Sequence, residues 1–206
     1  MKYILISILW AGYCALHSFL ISIRLTNFLS RVLKSYYAFY RLFYVLLSLG
    51  LLIRVIDYTE QLDDDIIVTY SPPLMVIRYT LLSGSLLMFF WAFFFSYDPL
   101  HFFGIRQIMN YAKPGIKASS AEGLKKSGLL GIVRHPMYLA LIIFLWTQTL
   151  TLADIVVNFI LTFYVIIGTL LEEKKLLLEF GSAYENYQKE VPMLIPFTKK
   201  KQLSLR

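Results

Sequence analysis

The architecture of this chain follows from one stretch, residues 131–196, which reads GIVRHPMYLALIIFLWTQTLTLADIVVNFILTFYVIIGTLLEEKKLLLEFGSAYENYQKEVPMLIP. Two apolar runs lie within it, one reaching Thr151 and the other reaching Leu171, with a break at Ala153-Asp154 between them. Each run holds about 16–18 residues, which is enough for roughly 25 Å of α-helix. Because a short connection makes consecutive helices antiparallel neighbours, the stretch predicts a hairpin that crosses a bilayer and returns.

Such a hairpin brings the charged ends of the stretch to the same membrane surface. Arg134-His135-Pro136-Met137-Tyr138 opens the first run, Glu172-Glu173 closes the second, and Tyr184 and Tyr187 follow. A cation, an imidazole, two carboxylates and three phenols then converge on one spot. Each residue alone is a common interface anchor, but their convergence predicts a ligand site.

The composition indicates a membrane protein. Of 206 residues, 58% are hydrophobic and 17% are aromatic, which is more apolar surface than a soluble domain of this size buries. We therefore predict an all-α, multi-pass transmembrane helical bundle of about five spans. It forms a single domain over residues 1–206, with the cofactor-binding hairpin at 131–196. The lone cysteine, Cys14, excludes a disulfide framework and a cysteine-based zinc site.

The charges predict how the spans are oriented. The net charge of +7 comes from basic loops after the first and third spans and from the tail 199–201, whereas residues 57–65 hold five acids and no base. Five spans place this acidic loop and the Thr151–Asp154 turn on the side opposite to the basic loops. Because positive residues mark the cytoplasmic side, we expect the N-terminus outside and the C-terminus and ligand site in the cytoplasm. This distribution argues against nucleic-acid binding. Besides the hairpin, three spans are expected, at residues 3–23, 36–56 and 74–97.

The residues at the two ends of the hairpin suit a zwitterionic ligand. Pro136 at the first helical position leaves the helix N-terminal amides free, and Arg134 and His135 add donors, so an anion fits there. Glu172 and Glu173 can accept hydrogen bonds from an ammonium group or from ribose hydroxyls. Three phenols can stack on an aromatic ring: Tyr138, Tyr184 and Tyr187.

S-adenosylmethionine carries all four of the matching groups, a carboxylate, an ammonium, a ribose diol and an adenine. A nicotinamide dinucleotide would need more cations for its phosphates. A metal would need more than one histidine, and neither His17 nor His101 has a ligand-like spacing to His135, so no metal is expected.

The same motifs resemble a known superfamily of integral membrane methyltransferases. Their order and hairpin spacing, over the last third of the chain, are similar to the isoprenylcysteine carboxyl methyltransferase and phospholipid methyltransferase superfamily. The rest resembles one branch, the methanethiol S-methyltransferases and the related denitrification-associated membrane proteins. The motifs that carry the branch resemblance are His17-Ser18, Tyr40-Arg41-x-x-Tyr44, Phe103-Gly104-Ile105-Arg106-Gln107 and Val191-Pro192-Met193-Leu194-Ile195-Pro196.

The resemblance implies an S-adenosylmethionine-dependent enzyme in a prokaryotic cytoplasmic membrane, with its cofactor site on the last two helices and no Rossmann domain. His135, Tyr138, Glu172 and Tyr184 would be the main cofactor contacts, in a set that includes Arg134, Glu173 and Tyr187. The chain departs from the family at Ala140, where a glycine is usual.

The implied acceptor is a small thiol, which needs a nearby base or cation to form its thiolate. Arg106 is predicted to lower the thiol pKa, and His17 or His101 to take the proton. Two alternatives stay open at this point. Arg106 could anchor a lipid phosphate, and His17 could make an interhelical hydrogen bond to Ser18 or Tyr44.

Other functions are compatible with the sequence alone. The acceptor could be lipidic, through carboxyl methylation of a prenylated cysteine or methylation of a membrane lipid. Sterol reductases carry a similar His-Pro-x-Tyr hairpin with a nicotinamide cofactor, so an NADPH-dependent membrane reductase is a second reading. A non-catalytic accessory protein is the third. A short interfacial helix is expected at residues 119–126, ahead of the hairpin.

Overall fold

The computed structural model describes residues 1–62, 65–112, 124 and 126–198. This part of the chain is almost entirely helical, which confirms the all-α prediction. Its α-helices are α1 Lys2–Ile21, α2 Ile23–Leu33, α3 Tyr40–Glu60, α4 Pro72–Trp91, α5 Pro99–Phe102, α6 Ile105–Ala112, α7 Pro136–Trp146, α8 Leu152–Phe180 and α9 Ser182–Glu190. Two 3-10 helices, Lys34–Phe39 and Gly128–Gly131, and a π-helical segment, Ala92–Ser96, complete the helical part. A small antiparallel ribbon pairs β1 Ile66–Val68 with β2 Leu150–Thr151.

Within the described residues, four helical segments are long and apolar enough to cross a membrane: Lys2–Ile21, Ile23–Glu60, Pro72–Ser96 and Leu152–Phe180. A multi-pass bundle is therefore confirmed. The remaining predicted span is α7, whose 11 residues make it shorter than the apolar run that predicted it.

The early end of α7 has a local cause at Thr147. Its hydroxyl donates to the carbonyls of Ile143 and Phe144, at 2.9 and 3.1 Å, which favours termination of the helix. Its own carbonyl accepts a hydrogen bond from Arg78 Nε at 2.9 Å. Beyond it the chain turns into β2, so Leu150 and Thr151, at the end of the predicted apolar run, are extended rather than helical.

The predicted basic loop after the first span is also helical, as α2. Its first turn is capped by Ser22, whose hydroxyl accepts from the Leu25 amide at 3.4 Å. The charges of Arg24 and Arg31 lie on an amphipathic helix rather than in a loop, which the sequence reading missed. The predicted interfacial helix 119–126, apart from Leu124 and Lys126, and the tail 199–201 lie outside the described residues.

The chain folds as two compact units. Unit 1 comprises Met1–Tyr70, Asp98–Ser120 and Thr149–Tyr164, and unit 2 comprises Ser71–Tyr97, Ala121–Gln148 and Val165–Arg206. Helix α8 passes from the first unit into the second. The expectation of a single domain over residues 1–206 stays a prediction.

Unit 1 is held together by a buried cluster at one end of its helices. Ile6 and Trp10 of α1 pack against Ala153 and Val157 of α8. Trp10 Nε1 donates to Thr59 Oγ1 in the last turns of α3, at 3.0 Å. The start of α1, the end of α3 and the start of α8 therefore lie together, next to the ribbon of β1 and β2. This agrees with the prediction that the acidic segment and the turn near Thr151 share one side.

Unit 2 contains an antiparallel pair, α4 and α7. Arg78 near the start of α4 bonds the Thr147 carbonyl just after the end of α7. The other end of α4 continues into the π-helical segment, which contacts α7 and the 3-10 helix Gly128–Gly131. The C-terminal half of α8 and all of α9 complete this unit.

Candidate functional site

The segment before α7 is joined to the segment after α9 by backbone hydrogen bonds. The amides of Arg134 and His135 donate to the carbonyls of Pro192 and Met193, at 2.9 and 3.1 Å. Tyr187 of α9 adds a third bond, from its hydroxyl to the Leu130 carbonyl at 2.6 Å. These bonds bring the Arg134-His135 motif and the Tyr184–Tyr187 motif together, as the hairpin predicted.

Glu173 is the most heavily bonded side chain of this region. Its carboxylate lies in a buried position on α8, 8% exposed, and Arg134 donates to both of its oxygens, from Nε at 2.6 Å and from Nη2 at 2.8 Å. It also accepts from His135 Nε2 at 3.2 Å, the Tyr184 hydroxyl at 3.2 Å and Gln188 Nε2 at 3.0 Å. A buried ion pair needs such additional hydrogen bonds to offset its desolvation, so Glu173 ties α8 to α9 and to the start of α7. Gln188 was not predicted; its signal is the position four residues after Tyr184, on the same face of α9.

Arg134 also bonds backbone carbonyls of the protein. Its Nη1 donates to the Gln188 carbonyl at 3.2 Å and to the Val191 carbonyl, at the C-terminus of α9, where helix carbonyls lack intrahelical partners. Each of its three guanidinium nitrogens thus donates to a protein oxygen. This arrangement uses most of the donor capacity that the sequence assigned to an anionic ligand.

Glu172 and His135 have capacity left for a ligand. Glu172 is bonded by the Tyr138 hydroxyl at 2.8 Å, and the Tyr138 ring stacks on the His135 ring with centroids 5.6 Å apart and planes at 13°. His135 Nδ1 is buried, lies 4.0 Å from Glu172 Oε2, and has no hydrogen-bond partner among the described residues. Since Nε2 faces the Glu173 carboxylate, Nδ1 is the ring nitrogen that can bond a ligand.

These side chains border a cleft of about 210 Å³ in unit 2. Five of the seven predicted cofactor residues line it: Arg134, His135, Glu172, Tyr184 and Tyr187. The other two do not line the cleft but bond residues that do: Tyr138 bonds Glu172, and Glu173 bonds His135. Sequence reasoning missed Tyr97 and Phe180 as lining residues. The signal for Tyr97 was weak, since it appeared only as the last residue of an expected span.

The phenols of the cleft are neutral donors at physiological pH. Burial, and secondarily the charge of Glu172, raises the pKa of Tyr97. Burial, followed by the Glu173 charge, likewise raises the pKa of Tyr184. Burial raises the pKa of Tyr187 to about 12. The cleft therefore combines one accessible carboxylate, the unbonded Nδ1 of His135 and several protonated phenols.

The three predicted catalytic residues belong to unit 1, whereas the residues that line the cleft belong to unit 2. His17 Nε2 lies 2.8 Å from the Tyr44 hydroxyl, so the hydrogen-bond alternative is realised. The rings of Tyr13 and Tyr164 flank it, with centroids at 5.9 and 6.2 Å. Ser18 bonds the Tyr164 hydroxyl at 3.0 Å rather than His17.

Arg106 and His101 lie on a short folded corner formed by α5 and α6. Arg106 Nη2 pairs with Asp98 Oδ2 at 2.8 Å, and the same carboxylate caps α5 by accepting from the Leu100 and His101 amides. Arg41 of α3 fixes the corner by donating to the Phe102 carbonyl at 3.1 Å. Burial, and secondarily the Arg41 charge, lowers the pKa of His101, so its imidazole is neutral at pH 7.

Comparison with known proteins finds relatives with one shared name. The chain is 40% identical over 104 residues to a methanethiol S-methyltransferase of Pseudomonas deceptionensis, a match that covers 50% of this chain and 38% of that protein. It is 36% identical over 108 residues to one of Crocosphaera subtropica, covering 52% of this chain and 42% of the relative. For methanethiol S-methyltransferase 1 of Bradyrhizobium diazoefficiens the identity is 32% over 129 residues, covering 62% and 44%.

The match covers less than half the length of each of these relatives. No protein-family model matches the chain, and no solved structure does. The relatives confirm the resemblance that the motifs predicted, to the methanethiol S-methyltransferase branch of the integral membrane methyltransferases.

Proposed function

We propose that this chain is an S-adenosylmethionine-dependent membrane methyltransferase whose acceptor is a small thiol, with methanethiol as the first candidate. The names of the relatives support the reaction class and the acceptor. The structural observation that carries the proposal is the cleft of unit 2, where Glu172 and the unpartnered Nδ1 of His135 adjoin neutral phenols.

The chemical groups that line the cleft match those of S-adenosylmethionine. Glu172 suits the ammonium group or the ribose hydroxyls, and the unbonded Nδ1 of His135 can bond a polar group of the ligand. Tyr184, Tyr187 and Phe180 provide aromatic and apolar surface for the adenine. Ligand pockets typically measure about 300–1,000 Å³, so the cleft of about 210 Å³ accommodates part of the cofactor.

The work of the protein in such a reaction is positioning. When bound, S-adenosylmethionine supplies a methyl group on a positively charged sulfur. Transfer then depends on alignment of the acceptor with that methyl group, and on exclusion of water. The ion pair of Arg134 with Glu173 contributes by fixing the orientation of His135 and the attachment of α9. Glu172 contributes a negative charge that attracts the cationic groups of the cofactor.

For the acceptor, we propose roles for the three polar groups of unit 1. A thiol has a pKa near 8.5, so a neutral imidazole that takes its proton increases the nucleophilic thiolate. His101 is neutral at pH 7 and has this capacity. His17, bonded to Tyr44 inside the bundle, is the second candidate base. The charge of Arg106 is neutralised by Asp98, so we propose that Arg106 stabilises the corner of α5 and α6 that carries His101.

Binding of S-adenosylhomocysteine and of NADPH to the detergent-solubilised chain, measured by titration calorimetry, tests the cofactor. We expect S-adenosylhomocysteine to bind, and Glu172→Gln to weaken that binding. Glu179→Gln, an exposed carboxylate on the same helix, is the matched control and should leave affinity unchanged. Binding of NADPH alone would support a reductase, and binding of neither ligand would support a non-catalytic role.

Turnover with methyl-labelled S-adenosylmethionine tests the acceptor. Methanethiol, a farnesylcysteine analogue and phosphatidylethanolamine are offered together, and we expect label on the thiol sulfur. Arg106→Ala and His101→Gln should lower this turnover while S-adenosylhomocysteine affinity stays constant. Label only on the prenyl compound's carboxylate, or only on the lipid, would contradict the small-thiol proposal and leave the methyltransferase proposal standing.

A further inference from the structure

We propose that unit 1 binds an anionic phospholipid where α2, the 3-10 helix Lys34–Phe39 and the start of α3 meet. One acyl chain occupies an apolar cleft between these elements, and the phosphate headgroup lies at Arg24 and Arg31. This site shares no lining residue with the proposed cofactor cleft and does not depend on the proposed reaction.

The cleft has the size and the chemistry of a hydrocarbon site. Its volume is about 410 Å³, within the range of about 300–1,000 Å³ that is typical of small-molecule sites. Its lining is apolar and includes Leu25, Leu29 and Leu33 of α2 and Phe39 of the 3-10 helix. The hydroxyl of Tyr40, which also lines the cleft, donates to the Leu20 carbonyl at 2.7 Å, so this polar group is already satisfied.

Helix α2 has the pattern of an interfacial helix. Leu25, Leu29 and Leu33 recur every four residues and line the cleft, while Phe28 and Val32, on the adjoining stripe, are 61% and 58% exposed. The opposite face is polar and basic. A helix with one apolar face and one Arg-bearing face lies in the plane of the headgroups, with its apolar side against acyl chains.

The cations of this helix are available to an anion. Arg24 and Arg31 are seven residues apart, so they occupy the same edge of α2, separated by about 10 Å along the axis. Both are exposed, and no carboxylate in the described part of the chain pairs with either. Residues 22–56 contain no acid. A phosphate is therefore the complementary group, and the lipid around the protein supplies it together with an acyl chain.

Aromatic residues place this region at headgroup depth. Tyr36 and Phe39 of the 3-10 helix contact Tyr111 of α6, with ring centroids 6.3 and 5.4 Å apart. Tyrosines concentrate at the boundary between acyl chains and headgroups. The apolar cleft then opens beside the acyl region while Arg24 and Arg31 reach the phosphates.

Native mass spectrometry of the detergent-solubilised full chain tests the site. The parent is titrated separately with dioleoyl phosphatidylglycerol and dioleoyl phosphatidylcholine. We expect the parent to bind phosphatidylglycerol about 25-fold more tightly, because each of the two bases near an anionic lipid strengthens binding by roughly fivefold. In Arg24→Gln/Arg31→Gln this preference should be lost. Both arginines are exposed, so this variant should fold, and circular dichroism verifies that it does.

Two further variants make the test specific. Lys174→Gln/Lys175→Gln removes the same number of exposed charges from α8 and should keep the preference. Leu29→Trp fills the cleft and should weaken both lipids equally. Equal affinity of the parent for the two lipids would overturn the proposal, as would an unchanged preference in the arginine variant. Loss of preference in the lysine control alone would place the headgroup elsewhere and overturn it too.

Discussion

Glu172 and Glu173 are adjacent on α8 but have different surroundings. Glu173 is bonded by Arg134, His135, Tyr184 and Gln188 in a buried position, whereas Glu172 borders the cleft. Removal of one partner of a buried ion pair costs about 3–5 kcal/mol, because the other charge stays buried without compensation. We therefore expect Glu173→Gln to lower the free energy of unfolding by about that amount.

Glu172→Gln should have the opposite profile. The loss of a charge-assisted hydrogen bond to the cofactor, worth roughly 1.5–3 kcal/mol, weakens S-adenosylhomocysteine binding by about tenfold to a hundredfold. The melting temperature should change little. Calorimetric titration and thermal unfolding, measured on both variants, separate the two roles. Parent-like binding by Glu172→Gln together with a reduced melting temperature would show that Glu172, too, is structural.

Gly104 is required by backbone conformation and by close approach. Its φ is +81°, and a Cβ at this position would lie 2.8 Å from the Leu42 amide nitrogen and 2.9 Å from Arg41 Cβ. Gly104→Ala should therefore displace the corner of α5 and α6 from α3. We expect a lower melting temperature, faster proteolysis between α5 and α6, and reduced thiol turnover.

Gly128 provides the matched control for that substitution. Its φ is +64°, but a Cβ there would meet nothing within 4 Å. Gly128→Ala thus imposes backbone strain of about 1 kcal/mol without a steric clash. If Gly104→Ala is no more destabilising than Gly128→Ala, the close approach to α3 does not explain the need for glycine at position 104.

Helix α9 depends on a protonated phenol. Burial raises the pKa of Tyr187 to about 12, and its hydroxyl donates to the Leu130 carbonyl. A folded-state pKa above the unfolded value near 10 means that the stabilisation is complete below pH 10 and is lost between about pH 10 and 12. Tyr187→Phe should lower the free energy of unfolding by about 1–3 kcal/mol at pH 8, since the carbonyl loses its donor.

The pH dependence of this difference is the measurement. Denaturant unfolding of the parent and of Tyr187→Phe at pH 8, 9, 10 and 11 should show a gap that is constant to pH 9 and narrows above pH 10. Tyr58→Phe, at an exposed phenol, should show no such change. If the difference in unfolding free energy is unchanged at pH 11, the fold does not raise the pKa of Tyr187.

The C-terminal hairpin was predictable because its motifs are local and periodic. Apolar length predicts both helices and Pro136 marks the start of α7, but the Glu172-Glu173 pair does not end α8, which continues to Phe180. Side-chain hydrogen bonds from Arg134 and Tyr138 to the two carboxylates join the stretches that the prediction brought together. The bonds from Arg134 to backbone carbonyls of α9 were not predictable, because acceptors on the main chain leave no mark in the sequence.

Helix boundaries were the weaker part of the prediction. The charges of Arg24 and Arg31 suggested a loop where α2 is an amphipathic helix. A search for long runs of apolar residues does not detect a helix that is apolar on one face only. The short α7 depends on Thr147 and on a distant partner, Arg78. Tertiary contacts of this kind override an apolar run that is otherwise long enough to continue.

The charges of unit 1 are distributed unequally between the two ends of its helices. Arg24, Arg31 and Lys34 occupy the end formed by α2 and the start of α3. Asp57 and Asp65 lie near the other end, which the ribbon of β1 and β2 and the buried cluster around Trp10 define. The positive-inside rule then predicts that the basic end is cytoplasmic.

Cysteine accessibility on intact cells tests this orientation. Cys14 is buried and is first replaced by alanine, so that each variant carries one thiol. Asp65→Cys should react with a membrane-impermeant maleimide on intact cells, because residue 65 is exposed at the acidic end. Ser35→Cys at the basic end, and Lys189→Cys on α9, should react only after lysis.

Ser35 and Lys189, both expected in the cytoplasm, test different statements. Labelling of Ser35→Cys but not Asp65→Cys on intact cells would reverse the orientation and place Arg24 and Arg31 outside. Labelling of Lys189→Cys on intact cells would place α9 and the cleft outside, away from cytoplasmic S-adenosylmethionine. The proposed reaction requires the cofactor to reach Glu172 from the cytoplasm, so this last outcome would contradict the function as well as the orientation.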